Sequence, residues 1–413
     1  MHFSAELLVR VASGRDLISA RARQISASAS MALDARAKAL KAAGQPIISF
    51  GVGEPDFGTP EPIKQAANRA LAEDATHYTT VSGDPALRKL VADRTSEMTG
   101  VPLAWNQVIA TSGAKEALYI AMQVLCDPGD EVLLPAPYWV SYAEQARMAG
   151  ATVVPVDTRP SAWKLTPDDL RRHITSRSRV LVLCTPCNPT GAVYSDAELA
   201  DLAAVLAEHD IAAVVDEIYA RISYVPVGRW LRAAPQLANR SLIVDGVSKA
   251  YAMTGWRLGW LVGPLELMQT ASALQSHLTS HPSSITQRAA QFALEDNASV
   301  ERSIDDMVGI FRQRRDAIVA GLARIDGIVC PEPEGAFYVF PDVRGLYDRP
   351  LGPNGRVVHS AAELSAYLLD EALVVTVPGE AFGTPGFIRL SYALSMDQLQ
   401  EGVQRLQSAL MAT

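Results

Sequence analysis

The chain has 413 residues, 48% hydrophobic and 20% charged, with 27 Gly and 25 Pro spread along it. At ~150 residues per domain this suffices for two or three domains and excludes low-complexity, collagen-like and disordered architectures. With 37 Lys and Arg against 45 Asp and Glu, net −8, no bulk basic field exists for nucleic-acid phosphates or anionic membranes, so neither is expected as a partner.

Residues 1–25 read as an N-terminal extension, in which Leu7, Leu8, Val11 and Ile18 suit a short amphipathic helix while Glu6, Arg10, Arg15 and Asp16 interrupt any signal-peptide core. No apolar run approaches the ~18 residues of a membrane span. Cys126, Cys184, Cys187 and Cys330 are too few and scattered for a disulfide framework, so a reducing, cytoplasmic setting is expected. A helix over 30–44 and a strand over 46–50 follow, too short to fold alone and expected to pack on a later domain. From about 60 to 263, helix-period stretches alternate with short β-branched runs, the pattern of a mainly parallel sheet covered by helices. The runs are 107–111, 131–135, 151–156, 179–185, 211–216, 241–244 and 257–262; between them, the helix 195–209 opens on Ser195 with Glu198 at capping-box spacing. Beyond Pro264, helices over 265–278 and 299–325 precede strands at 335–340, 374–377 and 387–392, the character of a second α+β domain. The expected division is a small domain of 26–61 with 302–413 and a large α/β domain of 62–301.

In open α/β sheets ligands bind beyond the carboxyl ends of the strands, and three ends here carry unusual groups. Asp216 follows the buried run Ala213-Val214-Val215 and needs a cation or donor to offset lost hydration. Lys249, in Val244-Asp245-Gly246-Val247-Ser248-Lys249, brings an amine to the same edge, where burial lowers its pKa and makes it a candidate Schiff-base former. Thr111-Ser112-Gly113-Ala114-Lys115 turns from a strand into the helix 114–125, whose free amides form an anion site. Singly each is a weak signal. Together, a phosphate cradle, an amine and a carboxylate are what pyridoxal phosphate requires.

Longer motifs sharpen this: Gly51-Val-Gly-Glu-Pro-Asp-Phe57, Tyr138-Trp-Val-Ser-Tyr142, Asn188-Pro-Thr-Gly191, Asp216-Glu-Ile-Tyr219, Ser248-Lys-Ala-Tyr-Ala-Met-Thr-Gly-Trp-Arg257, Gly335-Ala-Phe-Tyr338 and Arg389-Leu-Ser-Tyr392. Over about 26–410 the chain resembles the class I, fold type I aminotransferases, in particular the bacterial aspartate aminotransferase branch. The resemblance implies the fold type I architecture, a homodimer, and pyridoxal 5′-phosphate held by Lys249 as a Schiff base. It implies that Asp216 pairs with the ring nitrogen, Tyr219 and Asn188 face the phenolic oxygen and Trp139 stacks on the ring. Ser248, Arg257 and the amides of Ala114 and Lys115 would hold the phosphate, with Tyr78 reaching in from the neighbouring subunit. Arg389 is informative by itself, because a guanidinium inside the apolar run 387–392 needs a carboxylate partner; the resemblance makes that the substrate's α-carboxylate, gripped also by Asn188 and the backbone of Gly53.

The expected reaction moves an amino group between an aspartate- or glutamate-like amino acid and a 2-oxo acid such as 2-oxoglutarate. Lys115 matches the lysine that meets the distal carboxylate in this branch. On the substrate side, however, 26–30 carries no Lys, Arg or Thr, and His281 stands where the family usually has a smaller polar residue. These departures keep an alternative open: β- or γ-elimination or replacement on a bulkier amino acid such as S-adenosylmethionine, with His281 at the substrate. Cys184-Thr-Pro-Cys187 has redox or zinc-ligand spacing, but without a second Cys pair or nearby His it reads as part of the cofactor turn, and no metal is expected.

Overall fold

In the computed structural model, which describes residues 18–23, 25, 29–295, 297–352 and 354–410, strand β1 (Ile48–Ser49) follows the Ala29–Ala42 helix. Most of the N-terminal extension, and 26–28 of the substrate-side stretch, lie outside the described residues. The β-branched runs become β2 (Val108–Thr111), β3 (Glu131–Ala136), β4 (Thr152–Asp157), β5 (Ser178–Cys184), β6 (Ala212–Asp216), β7 (Ser241–Gly246) and β8 (Gly259–Val262). They form one seven-stranded sheet in the order β2-β8-β7-β6-β5-β3-β4, parallel except at β8, which runs against both neighbours.

Both faces of this sheet are covered, which is why its central strands read as unbroken apolar runs. Alternate residues point to opposite sides. Leu133, Leu181, Leu183, Ala213, Val215 and Ile243 pack towards the Asp196–Ala207, Pro85–Thr99 and Ser284–Leu294 helices. Val132, Val180, Val182, Val214, Leu242 and Val244 pack towards the Ala114–Leu125, Val140–Met148 and Leu265–Ser276 helices. The Asp196–Ala207 helix starts in the capping box its sequence suggests: the Ser195 hydroxyl accepts from the Glu198 amide at 3.3 Å while Glu198 accepts from the Ser195 amide at 2.8 Å.

A second core gathers β1, β9 (Tyr338–Val339), β10 (Val374–Val375) and β12 (Ile388–Ser391) with the Ala298–Leu322, Ala361–Glu371 and Met396–Leu410 helices around Phe50, Phe311, Phe337 and Tyr392, while β11 (Val377–Pro378) packs through Val377 on Phe340, Phe382 and Phe387. β1 pairs with β10 in parallel, and β11-β12-β9 form an antiparallel sheet. The molecule is thus α/β with a helix-covered, mainly parallel sheet and a smaller α+β part.

Several boundaries differ from the sequence reading, each for a local reason. The 374–377 run is split, because Thr376 turns its hydroxyl to Ser365 (2.9 Å) and the strands on either side join different sheets. The 335–340 strand shrinks to two residues, since Gly335 and Ala336 hydrogen-bond to Gly191 and Ile222 in loops. β8 starts only at Gly259 because Arg257 has φ +54°, outside strand geometry.

Candidate active site

The carboxyl ends of β2, β6 and β7 share one edge of the large sheet, and the second core closes over it. Between them lies a cavity of about 480 Å³. Lys249, Asp216, Tyr219 and Asn188 line it together with Ser248, Trp139, Arg257, Arg389, Gly53, Ala114 and Lys115.

Asp216 ends β6, 2% exposed. Its carboxylate accepts from the Tyr142 hydroxyl at 2.7 Å and the Ile218 amide at 3.1 Å, and among the described residues no Lys or Arg lies within ion-pair distance. Burial lifts its pKa from 3.8 to about 6, against the pull of those hydrogen bonds and of the Lys249 charge. A carboxylate so placed still calls for a cation.

Lys249 lies in the turn after β7, where Nζ donates to the Gly53 carbonyl at 2.5 Å and stands 5.8 Å from the Tyr219 ring centre. Burial, then the Arg389 charge, lowers its amine from 10.5 to about 8, with Glu54 and Asp216 opposing. Such an amine is partly neutral, and so nucleophilic, near physiological pH.

At the third strand end the Ala114–Leu125 helix opens on Gly113, φ +89°. The amides of Ala114 and Lys115 belong to its first turn and have no intrahelical acceptor. Arg257 leans over this terminus, its guanidinium donating to Thr254 and Ser112 carbonyls at 2.9 and 3.3 Å. A Cβ on Gly113 would lie 2.5 Å from the Arg257 guanidinium and push it aside, and the positive φ by itself favours glycine here. The amides, the Ser248 hydroxyl and the Arg257 guanidinium thus bring hydrogen-bond donors and a positive charge to one corner of the cavity, a chemistry that suits an anion.

Arg389, on β12 and 7% exposed, donates to Asn188 Oδ1 at 3.2 Å and to the Gly51 carbonyl at 2.8 Å; its Nε has no partner. No carboxylate side chain among the described residues offsets its charge. Tyr338 and Phe382 stack on it at 4.5 and 5.1 Å. Lys115 Nζ stands 4.8 Å from the Trp139 ring centre, its pKa lowered by burial and by Arg257.

Tyr78 and His281 do not join this cavity within the chain; they meet each other, rings edge-on with centres 5.5 Å apart. His281 is held by its own segment, Nδ1 to the Pro282 carbonyl at 2.7 Å and Nε2 accepting from the Thr79 amide at 3.3 Å. Tyr78 is 91% exposed. Those bonds turn the His281 ring to the Tyr78 segment, so within one chain both residues stand apart from the cavity, where the sequence reading expected them to serve a neighbouring subunit's site.

Tyr142 and Tyr338 received no role from the sequence, although both motifs containing them stood out. Tyr142 lies one helical turn beyond Trp139, a spacing that returns both to the same end of the Val140–Met148 helix. Tyr338 bonds hydroxyl to hydroxyl with Tyr219 at 2.8 Å, a pairing across 119 residues with no local signal. The Cys184 and Cys187 thiols are pushed up by burial, and no group of three or more metal-ligating side chains occurs among the described residues.

The described residues hold no helix long and apolar enough to cross a membrane. Residues 45–406 match the family model for aminotransferases of class I and II. An aspartate aminotransferase of Streptomyces avermitilis is 43% identical over 404 residues, 95% of this chain and 96% of that one; one of Geobacillus stearothermophilus is 40% identical over 389 residues, 94% and 97% of the two chains. Among solved structures, the aspartate aminotransferase of Rhizobium meliloti superposes with TM-score 0.91 at 39% identity, covering 96% of this chain and 99% of that one. The Thermus thermophilus enzyme with maleate gives 0.89 at 36%, covering 95% and 99%. The chain belongs to the class I and II aminotransferases, pyridoxal-phosphate-dependent enzymes as a family, and moves an amino group between an amino acid and a 2-oxo acid.

Proposed function

We propose that the chain is an aspartate- or glutamate-type aminotransferase that binds pyridoxal 5′-phosphate through Lys249 and uses 2-oxoglutarate as a partner oxo acid. The observation that carries this is the convergence on one cavity of a depressed amine, an uncompensated buried carboxylate and a buried guanidinium with an unused donor. When bound, pyridoxal phosphate supplies an aldehyde for the amino group and a ring that accepts the electron pair released at the substrate's Cα.

The chain's residues divide the rest. Asp216, steadied by Tyr142, would keep the proton on the ring nitrogen; Tyr219 and Asn188 would donate to the phenolic oxygen, and Trp139 would cover the ring. Ser248, Arg257 and the amides of Ala114 and Lys115 would hold the phosphate. Arg389, with Asn188 and the Gly53 backbone, grips the α-carboxylate and so presents the Cα hydrogen to the Lys249 amine, which moves that proton. Lys115 takes the distal carboxylate of a dicarboxylic substrate, in keeping with the aspartate named for the relatives.

A homodimer completes the site in this reading, a second copy offering Tyr78 to the phosphate. The support is a tyrosine ordered by His281 yet directed outward. The two hydrophobic cores support dividing the chain into a small domain, 26–61 with 302–413, and a large one, 62–301.

The test incubates holoenzyme with ¹⁵N-aspartate and 2-oxoglutarate, then with S-adenosylmethionine. Labelled glutamate from the first mixture is expected. Inert aspartate together with side-chain loss from S-adenosylmethionine would overturn the proposal. Mixed Lys249→Ala and Tyr78→Phe dimers that regain no activity would overturn the shared site.

A further inference from the structure

Between β1 and the Glu61–Ala72 helix, residues 51–59 form a strap that reaches the cavity at Gly53. Two of its carbonyls face the reactive groups: Gly51 accepts from Arg389 at 2.8 Å and Gly53 from Lys249 at 2.5 Å. Neither glycine position has spare room, since a Cβ on Gly53 would sit 3.1 Å from the Tyr338 hydroxyl and one on Gly51 3.2 Å from Val375. The aim of both groups therefore depends on where the strap lies.

Its far side is fastened to the molecule. Asp56 forms a bidentate pair with Arg314 of the Ala298–Leu322 helix, at 2.7 and 2.9 Å. The Arg314 side chain is only 7% exposed, its Nε is buried without a partner, and no other carboxylate among the described residues pairs with it. The guanidinium also stacks on Phe57 at 5.1 Å, and Phe57 meets Phe311 edge-on at 5.4 Å. Weaker ties reach the turn after Lys249: Thr254 donates to Glu54 at 2.8 Å and Thr59 to the Ala252 carbonyl at 2.7 Å. Of these, only the Asp56–Arg314 pair is ionic and bidentate, and although Asp56 itself stays partly exposed, its partner Arg314 is buried with no other carboxylate to turn to, so this pair is the strongest single tie on the strap.

We infer that Asp56 and Arg314 are positioning residues for amino-group transfer, holding the strap so that Gly51 and Gly53 aim Arg389 and Lys249. This rests on the proposed function, in which Arg389 grips the α-carboxylate. Neither residue touches the cavity, so the effect reaches the substrate through the strap.

The experiment compares Asp56→Asn, which preserves shape, with Arg314→Lys, Arg314→Gln and the Asp56→Asn/Arg314→Gln double variant. Expected are a tenfold or greater rise in KM for the amino acid in Asp56→Asn and Arg314→Gln, a smaller rise in Arg314→Lys, and a double variant no worse than either single one. Faster amide hydrogen exchange should be confined to 50–59, and in cofactor-free protein acetic anhydride should label Lys249 faster. A folded Asp56→Asn enzyme with parental KM overturns the inference, as does lower stability with unchanged kinetics and labelling. If the parent itself transfers no amino group, the proposed function fails; the exchange and labelling comparison then decides the strap separately, unchanged values in Asp56→Asn refuting it.

Discussion

Replacing Arg389 with lysine isolates the group on which the proposed substrate recognition depends. The guanidinium offers a carboxylate two parallel charge-assisted hydrogen bonds while keeping its own bonds to Asn188 and Gly51. Lysine retains the charge and one bond to the substrate but loses the second, about 1.5–3 kcal/mol, and weakens the stacking on Tyr338 and Phe382, about 0.5–2 kcal/mol. The loss of about 2–5 kcal/mol corresponds, at about 1.4 kcal/mol per decade, to roughly a thirty- to three-thousandfold fall in kcat/KM. Steady-state kinetics with aspartate and glutamate measure it, and cofactor titration of the same variant should give a parental affinity, because the proposal gives Arg389 to the substrate and not to the cofactor. A fall below tenfold in Arg389→Lys would refute the α-carboxylate assignment, and an equal loss of cofactor affinity would move Arg389 to the cofactor.

In cofactor-free protein, the pH dependence of Lys249 acylation should have its midpoint near 8, because burial and Arg389 favour the neutral amine; a midpoint near the ordinary 10.5 would show that water reaches it freely. Asp216→Asn should lower amino transfer by about two to three orders of magnitude, since a neutral amide does not hold the ring nitrogen's proton. Without cofactor the sign reverses for stability. The parent's Asp216 contribution is present below pH 3.8 and lost as pH rises through about 6, so the Asn variant should gain on the parent over that interval in denaturant titrations. Gly113→Ala should weaken cofactor binding at least tenfold, because its Cβ displaces Arg257 and the position has φ +89°; unchanged affinity would show that Arg257 adds little to the phosphate grip.

The large sheet was legible because each strand is a short β-branched run between helix-period stretches, and both faces are buried. Asp216 and Lys249 stood out for the same reason: each is an ionisable group just past such a run. What escaped was set by distant contacts. Tyr142 bonds to Asp216 over 74 residues, Tyr338 to Tyr219 over 119, and Arg314 to Asp56 over 258, and no local periodicity encodes a partner that far away. The 374–377 run shows the same limit, since uniform β-branched composition hides the buried Thr376–Ser365 bond that divides it between two sheets.

Because β8 runs back beside β7, the chain leaves and re-enters the sheet at one edge, with Gly246 and Gly259 as cross-strand partners. A parallel crossover would instead have carried the chain to the opposite edge. Ser248, Lys249 and Arg257 consequently lie on a single return loop whose ends are pinned, and at its exit a Cβ on Gly259 would come within 2.5 Å of the Ala114 amide. The amine and two of the anchors proposed for the phosphate thus form one continuous piece of chain: a graft of 246–259 between relatives would carry them together, provided the recipient brings a matching carboxylate on β6 and a helix terminus close enough to touch the second glycine.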